Sequence, residues 1–468
     1  MKTRQFLARW ALSLLLMSIL LTACGGGQAE TPTSPPATAT SKPLPTDTPE
    51  PTNTPEPTST ATSLPSPTPE ISAEMQAEME AIQAQVSEMR GLLADEDIQT
   101  EVFDTRELEQ YLGEKLAQEY SEEEEFQELV TLAYLGLIPP TFALRDFYQA
   151  LYAEQILGFY DLESEEMVLI QGAEFGALGR MTYAHETVHA LKDQAVDIDG
   201  ELGFSDENCE QNPDRCTALQ ALIEGDASLV SGLWMLANTT PDEQAEIAAA
   251  AGQTKPVLAN APAVFQEDLS FPYTVGTPFV QYLFNQGGWE AVDAAYLDPP
   301  QSSEQIMHPD RYPADLPMEV SLPDLLRVLG EGWELIAQKT LGEWSTLLLL
   351  TSGVDQQARL DVNTALPAVT GWGGDLYSVY YNASSGQAVL VLKTRWDATE
   401  EAAEFYAQLE AHVLARFDLS ESDGELIEMF QYMGLGYAQY QYVEDTTYYI
   451  LSPSEEISTA VLEAVLAD

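Results

Sequence analysis

The chain is 468 residues long and strongly acidic, with 76 Asp and Glu against 19 Lys and Arg and a formal net charge of −57. Such a surface repels the phosphates of nucleic acid and of anionic lipid headgroups, so both are poor candidates for partners. Because 45% of the residues are apolar, most of the chain is expected to fold, into two or three structural units.

Residues 1–23 have the pattern of a signal peptide, in which basic residues precede an apolar run from Trp10 to Leu21. The run ends in Leu21-Thr22-Ala23-Cys24-Gly25, which resembles the lipobox of bacterial lipoproteins. The resemblance implies cleavage before Cys24 and acylation of its thiol. The mature protein would then be anchored by this lipid alone at the extracytoplasmic face of a bacterial membrane. The alternative is a plain signal peptide with an incidental cysteine.

Residues 24–70 are rich in threonine and proline, as in Thr48-Pro49-Glu50-Pro51-Thr52. Repeated proline blocks helix and sheet and favours extended polyproline geometry. The composition therefore predicts a disordered tether that holds the folded part away from the membrane.

Residues 71–145 are predicted to be an N-terminal helical region. In its first helix, apolar side chains recur at helical spacing in a charged background: Met75, Met79, Ile82, Val86 and Met89. Further helices are predicted at 105–119 and 122–135. The sequence leaves open whether residues 71–140 cover a cleft as a propeptide or belong permanently to the fold.

Residues 146–330 are predicted to form the core that carries the chemistry. A helix over 142–156 precedes two β-prone runs, 158–161 and 166–170, separated by polar turn residues. This pattern predicts a hairpin just before the next helix.

That next helix contains His185-Glu186-Thr187-Val188-His189. Residues four apart lie on the same helix face, so both imidazoles can bind one metal ion. Glu186 lies beside the first histidine, where its carboxylate can act as a general base on water. The chain has only four histidines, and two at this spacing favour a site for one Zn²⁺. The alternative is a histidine pair satisfied within the core.

A catalytic zinc site needs a third protein ligand. Residues 217–230 are predicted to form a second helix, in which Glu224 follows Leu222 and Ile223. A carboxylate among apolar neighbours is costly to bury unless it is paired or metal-bound, so Glu224 is the best candidate.

Two cysteines, Cys209 and Cys216, lie between the predicted helices. An extracytoplasmic compartment permits a disulfide, and six intervening residues make a loop that can close. We therefore predict a disulfide; free thiols or metal ligands are the alternative.

An H-E-x-x-H motif followed on a later helix by Glu224-Gly225-Asp226-Ala227 resembles the gluzincin group of zinc metallopeptidases. The resemblance implies a zincin-like fold that hydrolyses peptide bonds in peptide or protein substrates. It also implies one Zn²⁺ held by His185, His189 and Glu224, with Glu186 as general base and later acid.

The chain departs from thermolysin-type enzymes at Ser228, where those enzymes carry an aspartate four residues after the ligand glutamate. The carboxylate that orients the ligand histidines must therefore come from elsewhere. Asp226 and Asp193 are the candidates.

The stretch from Phe271 to Tyr312 resembles a segment that follows the zinc helices in a group of bacterial lipoproteins, and the resemblance extends over approximately 98–397. It brings no characterised substrate. The groups in this stretch able to stabilise an oxyanion are Tyr273, His308, Arg311 and Tyr312. Tyr273 and His308 are the catalytic candidates among them; the alternative for His308 is a structural loop histidine.

Residues 331–468 begin with a predicted buried helix at 341–350. Alternating runs and helical spacing then predict the order ββαββα, with segments at 376–381, 388–393, 399–416, 436–443, 447–451 and 454–466. We expect a small α+β unit packed on the peptidase core, without a catalytic constellation.

Taken together, the sequence predicts an α+β, mainly helical fold and a lipid-anchored zinc metallopeptidase. One rival is a non-enzymatic lipoprotein that binds a ligand or partner on a zincin-like scaffold. Another is a surface scaffold that assembles through the amphipathic helix at 71–93. Cleavage specificity and oligomeric state are not predicted.

Overall fold

The structure of the protein is a computed structural model that describes residues 71–170, 175–253, 255–417 and 434–467. The predicted signal peptide, Cys24 and the tether (24–70) lie outside these residues. Within the described ranges, no helix combines the length and apolar character needed to cross a membrane. The described chain is an α+β fold in which helices predominate over two small sheets.

The N-terminal region is helical. Helix α1 (Ala73–Arg90) is capped by the Ser72 hydroxyl, which accepts a hydrogen bond from the Met75 amide at 3.1 Å. The helices predicted after it are confirmed as α2 (Thr105–Glu119), α3 (Glu122–Leu135) and α4 (Leu144–Gln155). Both α2 and α3 begin with a capping box, in which the N-cap side chain and a glutamate three residues later satisfy each other's amides.

The first sheet contains β1 (Gln99–Phe103), β2 (Gly158–Asp161) and β3 (Glu166–Ile170), in the order β1-β3-β2. Strands β2 and β3 form the predicted hairpin and pair antiparallel. Strand β1, which was not predicted, pairs parallel with β3. The order leaves β2 at the edge of the sheet, next to helix α5 (Ala177–Val196).

Helices α5 and α7 (Pro213–Asn238) pack against each other. Helix α7 contains the predicted helix over 217–230 and extends beyond it at both ends. The short helix α6 (Asp206–Gln211) precedes it, and the predicted disulfide between Cys209 and Cys216 is confirmed, with Cα atoms 5.3 Å apart. The disulfide ties α6 to the first turn of α7.

The chain then forms α8 (Pro241–Ala251), α9 (Pro256–Ala259), α10 (Ala263–Thr274), α11 (Gly276–Gly287), α12 (Trp289–Leu297), α13 (Ser303–Met307) and α14 (Leu326–Leu329). Helix α11 packs on α7 with its backbone. A Cβ atom at Gly276 would lie 2.3 Å from the Ala221 carbonyl oxygen, and one at Gly225 would lie 2.5 Å from the Gly276 carbonyl oxygen. Glycine is therefore required at both positions, and the close approach sets the α10–α11 junction beside Glu224.

The C-terminal part forms β4 (Glu334–Lys339), α15 (Gly342–Thr351), α16 (Val362–Val369), β5 (Trp372–Asn382), β6 (Gln387–Trp396), α17 (Thr399–Arg416), β7 (Tyr437–Val443), β8 (Thr446–Ser452) and α18 (Glu455–Leu466). The strands make an antiparallel sheet in the order β4-β5-β6-β8-β7. The predicted helix near 341–350 and the order ββαββα are confirmed. Strand β4 joins the sheet in addition.

One apolar core connects the C-terminal sheet to the rest of the chain. Leu151 of α4, Leu222 of α7 and Leu390 of β6 all belong to the same buried cluster. A hydrogen bond crosses the junction as well, since the Ala388 amide donates to the Tyr134 hydroxyl at 2.9 Å. The C-terminal unit is therefore packed on the core, as expected.

Candidate metal centre

Helices α5 and α7 bring His185, His189 and Glu224 together. His185 and His189 are one turn apart on α5, and Glu224 faces them from α7. The His185 Nε2 atom lies 2.9 Å from His189 Nε2 and 3.1 Å from Glu224 Oε2, and the His189 Nε2 atom lies 3.7 Å from the same oxygen. The two predicted histidines and the predicted glutamate thus present one donor atom each to a common point.

The spacing of these donor atoms fits a zinc ion. From the three separations of 2.9, 3.1 and 3.7 Å, a circle through the atoms has a radius of about 1.9 Å, just below the usual Zn–N and Zn–O distances of about 2.0–2.2 Å. Two imidazoles and one carboxylate are also a donor set found in catalytic zinc sites.

Buried polar atoms without a hydrogen-bond partner gather at the same place. They are Glu224 Oε1, Glu186 Oε1 and the Tyr273 hydroxyl. Leaving such a group unpaired costs about 1–3 kcal/mol each, so the three together fit a site that takes a further ligand. A histidine pair satisfied within the core would not leave these atoms open.

The three residues shift one another's pKa values. Burial lowers the pKa of His185 to about 4, so its imidazole is neutral near pH 7. Burial alone would raise the pKa of Glu224, but the two histidines outweigh it and the pKa falls below its ordinary value. For His189 burial lowers the pKa, yet the carboxylates, Glu224 first, raise it overall. The site therefore holds a buried, ionised carboxylate between imidazoles.

Glu186 lies in the same site and is fully buried. Its Oε2 atom accepts a hydrogen bond from the Tyr160 amide of β2 at 3.1 Å, which leaves Oε1 free to face the centre. Burial raises the pKa of the Glu186 carboxyl to about 8, with His189 opposing and Glu224 adding to the effect. A carboxyl that titrates near neutrality suits a group that accepts a proton and then returns it.

Tyr273 reaches the site from the last turn of α10. Burial, and then the charges of Glu224 and Glu186, raise the pKa of its phenol well above the ordinary value. The hydroxyl approaches Glu224 but makes no well-formed hydrogen bond with it. Tyr273 is thus a neutral donor held beside the two carboxylates.

The other oxyanion candidates lie elsewhere. His308 Nε2 lies 2.9 Å from the buried Glu343 Oε1, and the Tyr312 hydroxyl donates to the Asp298 carbonyl at 2.6 Å. Arg311 pairs with a separate group of carboxylates. The hydrogen-bond partners of His308, Arg311 and Tyr312 therefore lie away from His185, His189 and Glu224.

Those carboxylates, Glu304, Asp315 and Asp397, form a second acidic group among the described residues. The Arg311 Nη1 atom contacts all three, at 3.1 Å from Asp397 and 3.3 Å from Asp315. The guanidinium already supplies the positive charge at their centre, so this group needs no cation.

Neither predicted orienting carboxylate bonds to a ligand histidine. Asp226 accepts two hydrogen bonds from Arg90 and one from the Tyr296 hydroxyl. Asp193 accepts one hydrogen bond from the Tyr160 hydroxyl at 3.0 Å and another from the Ile198 amide at 2.9 Å, just beyond the C-terminal end of α5. Asp226 is buried on α7 and Asp193 half-buried on α5, but each holds another group.

Sequence reasoning missed Tyr160 and Arg90. Tyr160 acts through its backbone amide, which leaves no trace in the residue type. Arg90 did leave a signal, because it continues the buried stripe of Met79, Ile82 and Val86 at helical spacing. A lone arginine on an apolar stripe predicts a buried ionic partner.

Comparison with known proteins gives a family-model match in the C-terminal part. A family model described as a domain of unknown function (DUF8575) matches residues 332–455, which run from β4 to the start of α18. The match does not include α5 or α7. No curated protein and no solved structure matches the chain.

Proposed function

We propose that the protein is a zinc metallopeptidase with a zincin-like core, anchored by a lipid on Cys24 at the extracytoplasmic face of a bacterial membrane. The observation that carries the proposal is the convergence of His185, His189 and Glu224 next to the buried Glu186. The anchor is proposed from the sequence of residues 1–25 alone.

His185, His189 and Glu224 would hold one Zn²⁺. When bound, the ion supplies a Lewis acid that polarises a carbonyl and lowers the pKa of water. Glu186 takes the proton from the attacking water through Oε1, the oxygen not engaged by the Tyr160 amide, and later gives it to the leaving amine. The amide keeps the carboxylate in one orientation throughout.

Tyr273 stabilises the negative charge that develops on the substrate oxygen. Its phenol stays protonated, since burial and two carboxylates raise its pKa. A neutral donor fixed in a dry site stabilises developing charge more strongly than water does. Strand β2 is an edge strand whose Tyr160 lies against Glu186, and we propose that an extended peptide substrate aligns along it.

The test compares Glu186→Gln with wild type for zinc content and for cleavage of casein. We expect equal zinc and a fall in activity of about 10²–10⁴-fold, the contribution of a general base. Glu246→Gln, which alters an exposed glutamate of α8, is the matched control and should retain activity. Equal cleavage by Glu186→Gln and wild type, or a wild type without zinc, would reject the proposal.

The complete burial of Glu186 favours a second candidate, a non-enzymatic lipoprotein that binds zinc to stabilise its fold. The same experiment separates the two. A wild type that binds zinc but cleaves no peptide under any condition supports the second candidate.

A further inference from the structure

Helix α1 ends in an arginine that is fully buried. The Arg90 side chain has no exposed surface, and neither has that of its partner Asp226. The pair is bidentate, with Nε 2.8 Å from Oδ1 and Nη2 3.0 Å from Oδ2. The guanidinium also lies 4.5 Å from the ring centre of Trp289. Asp226 is two residues after Glu224 on α7.

The same arginine reaches the other ligand helix through Asp293 of α12. The Asp293 Oδ1 atom accepts from Arg90 Nη2 at 2.6 Å and from Lys192 Nζ at 2.7 Å. Lys192 lies on α5, three residues after His189, and its side chain is 3% exposed. A continuous ionic chain therefore runs from α5 through Lys192, Asp293, Arg90 and Asp226 to α7.

The rest of α1 packs on the flanks of the ligand helices. Its buried Met79, Ile82 and Val86 share an apolar cluster with Val188 of α5 and Val230 of α7. Hydrogen bonds join it to each helix in turn. Gln83 donates to the Tyr183 hydroxyl of α5 at 2.6 Å, and the Trp234 indole of α7 donates to Gln85 at 2.8 Å.

We propose that α1 is a permanent part of the metal centre and that Arg90 is the residue that sets α5 against α7, so that the three ligand atoms converge. The inference rests on the proposed zinc site and decides between the two interpretations of residues 71–140 in favour of a permanent part of the fold. Arg90 touches neither substrate nor metal and is a positioning residue.

The charges explain why α1 does not leave as a propeptide would. Removing Arg90 would strand the carboxylate of Asp226 in the core without a counter-ion, a strongly unfavourable arrangement. Only the Tyr296 hydroxyl, 3.2 Å from Asp226 Oδ2, would still donate a hydrogen bond to that carboxylate. An inhibitory propeptide is expected to cover the substrate side of a cleft, whereas α1 is bound into the helices that present the ligands.

Zinc affinity of the full chain tests the role of Arg90. By competition with a chromophoric chelator at a temperature where every variant is folded, Arg90→Met should bind Zn²⁺ about 10-fold more weakly, as for other groups that orient ligands. Arg90→Lys should bind Zn²⁺ more tightly than Arg90→Met, because lysine keeps the positive charge but cannot make both hydrogen bonds to Asp226. Arg106→Met, which alters an exposed arginine of α2, is the matched control. Equal affinity in Arg90→Met and wild type would overturn the proposal.

If Arg90→Met fails to fold, cleavage of the folded chain between α1 and β1 tests the same proposal. A protease recognition sequence is inserted after Leu93, which is 82% exposed in the linker to β1, and the folded full chain is cleaved there. We expect the N-terminal fragment to co-elute with the remainder and the zinc to stay bound. Dissociation of the fragment with zinc retained overturns this inference and leaves the proposed function intact. A wild type that binds no zinc overturns both.

Discussion

Two buried carboxylates, one in each half of the molecule, are satisfied in different ways. Asp375 of the C-terminal sheet accepts from the Leu341 and Gly342 amides at 2.6 and 2.9 Å and from the Trp372 indole at 2.7 Å. Glu224 is at least as buried, yet one of its oxygens has no partner and the other faces two imidazoles. A carboxylate with three donors is complete, whereas Glu224 is arranged for a further ligand.

Two buried histidines make the same distinction. Burial lowers the pKa of both His185 and His412 to about 4. The His412 Nδ1 atom donates a hydrogen bond to the Ala358 carbonyl at 2.9 Å. Among the described residues, His412 belongs to no group of side chains that could hold a metal ion. A lowered pKa therefore marks burial only. The convergence of several donor atoms is what distinguishes the candidate metal centre from the environment of His412.

The largest expected difference between the halves follows zinc removal. At free zinc of 100 times the dissociation constant, binding stabilises the folded state by about 2.7 kcal/mol. Chelation should therefore increase hydrogen exchange in α5 and α7, measured by mass spectrometry, while β5 and β6 change much less. Glu224→Gln should show the chelated pattern with or without added zinc. A uniform change across both halves would contradict the distinction.

Substitution of Asp375 and of Glu186 should affect the free energy of unfolding differently. Asp375→Asn replaces an acceptor of three hydrogen bonds with a group that has one acceptor oxygen, so it should destabilise by about 1–3 kcal/mol. Glu186→Gln replaces a buried carboxyl that accepts only one hydrogen bond, so metal-free stability should change by less. Urea unfolding of the chelated proteins measures both. A larger loss for Glu186→Gln would show that the carboxylate is structural.

The last prediction concerns the pH dependence of stability at the boundary between the halves. Asp214, in the first turn of α7, accepts from the Ser303 amide at 3.1 Å, and burial raises the pKa of its carboxyl from 3.8 to about 7. Between these values the folded state binds more protons than the unfolded state, so this group lowers the unfolding free energy as pH rises from about 4 to 7. Asp214→Asn should flatten that slope, and the exposed-site control Asp310→Asn should not. An unchanged slope in Asp214→Asn would show that another group causes it.

The elements that could be predicted are those with local signals. Helices α2, α3 and α17 have the predicted bounds because apolar side chains recur at helical spacing through each segment, and α2 and α3 also begin with a capping box. The β2–β3 hairpin and the disulfide also join neighbours in sequence. Strand β1 could not be found in this way, since its partner β3 lies more than sixty residues further along the chain.

The candidate site divides in the same manner. His185, His189 and Glu186 follow from one helical turn, and Glu224 followed from an acidic residue in an apolar helix. The partners of Asp226 and His308 did not, because Arg90 and Glu343 are distant in sequence and only the folded chain brings them close. The residues that converge at the candidate site were predictable from residue type, whereas the distant partners of their neighbours were not.

X-ray absorption at the zinc edge tests the central claim most directly. For the full-length protein we predict one zinc per chain, bound by nitrogen and oxygen at about 2.0–2.2 Å, with a signal from two imidazoles. Glu224→Ala should lose the ion. A protein without zinc, a sulfur shell at about 2.3 Å, or a spectrum unchanged in Glu224→Ala would contradict the claim.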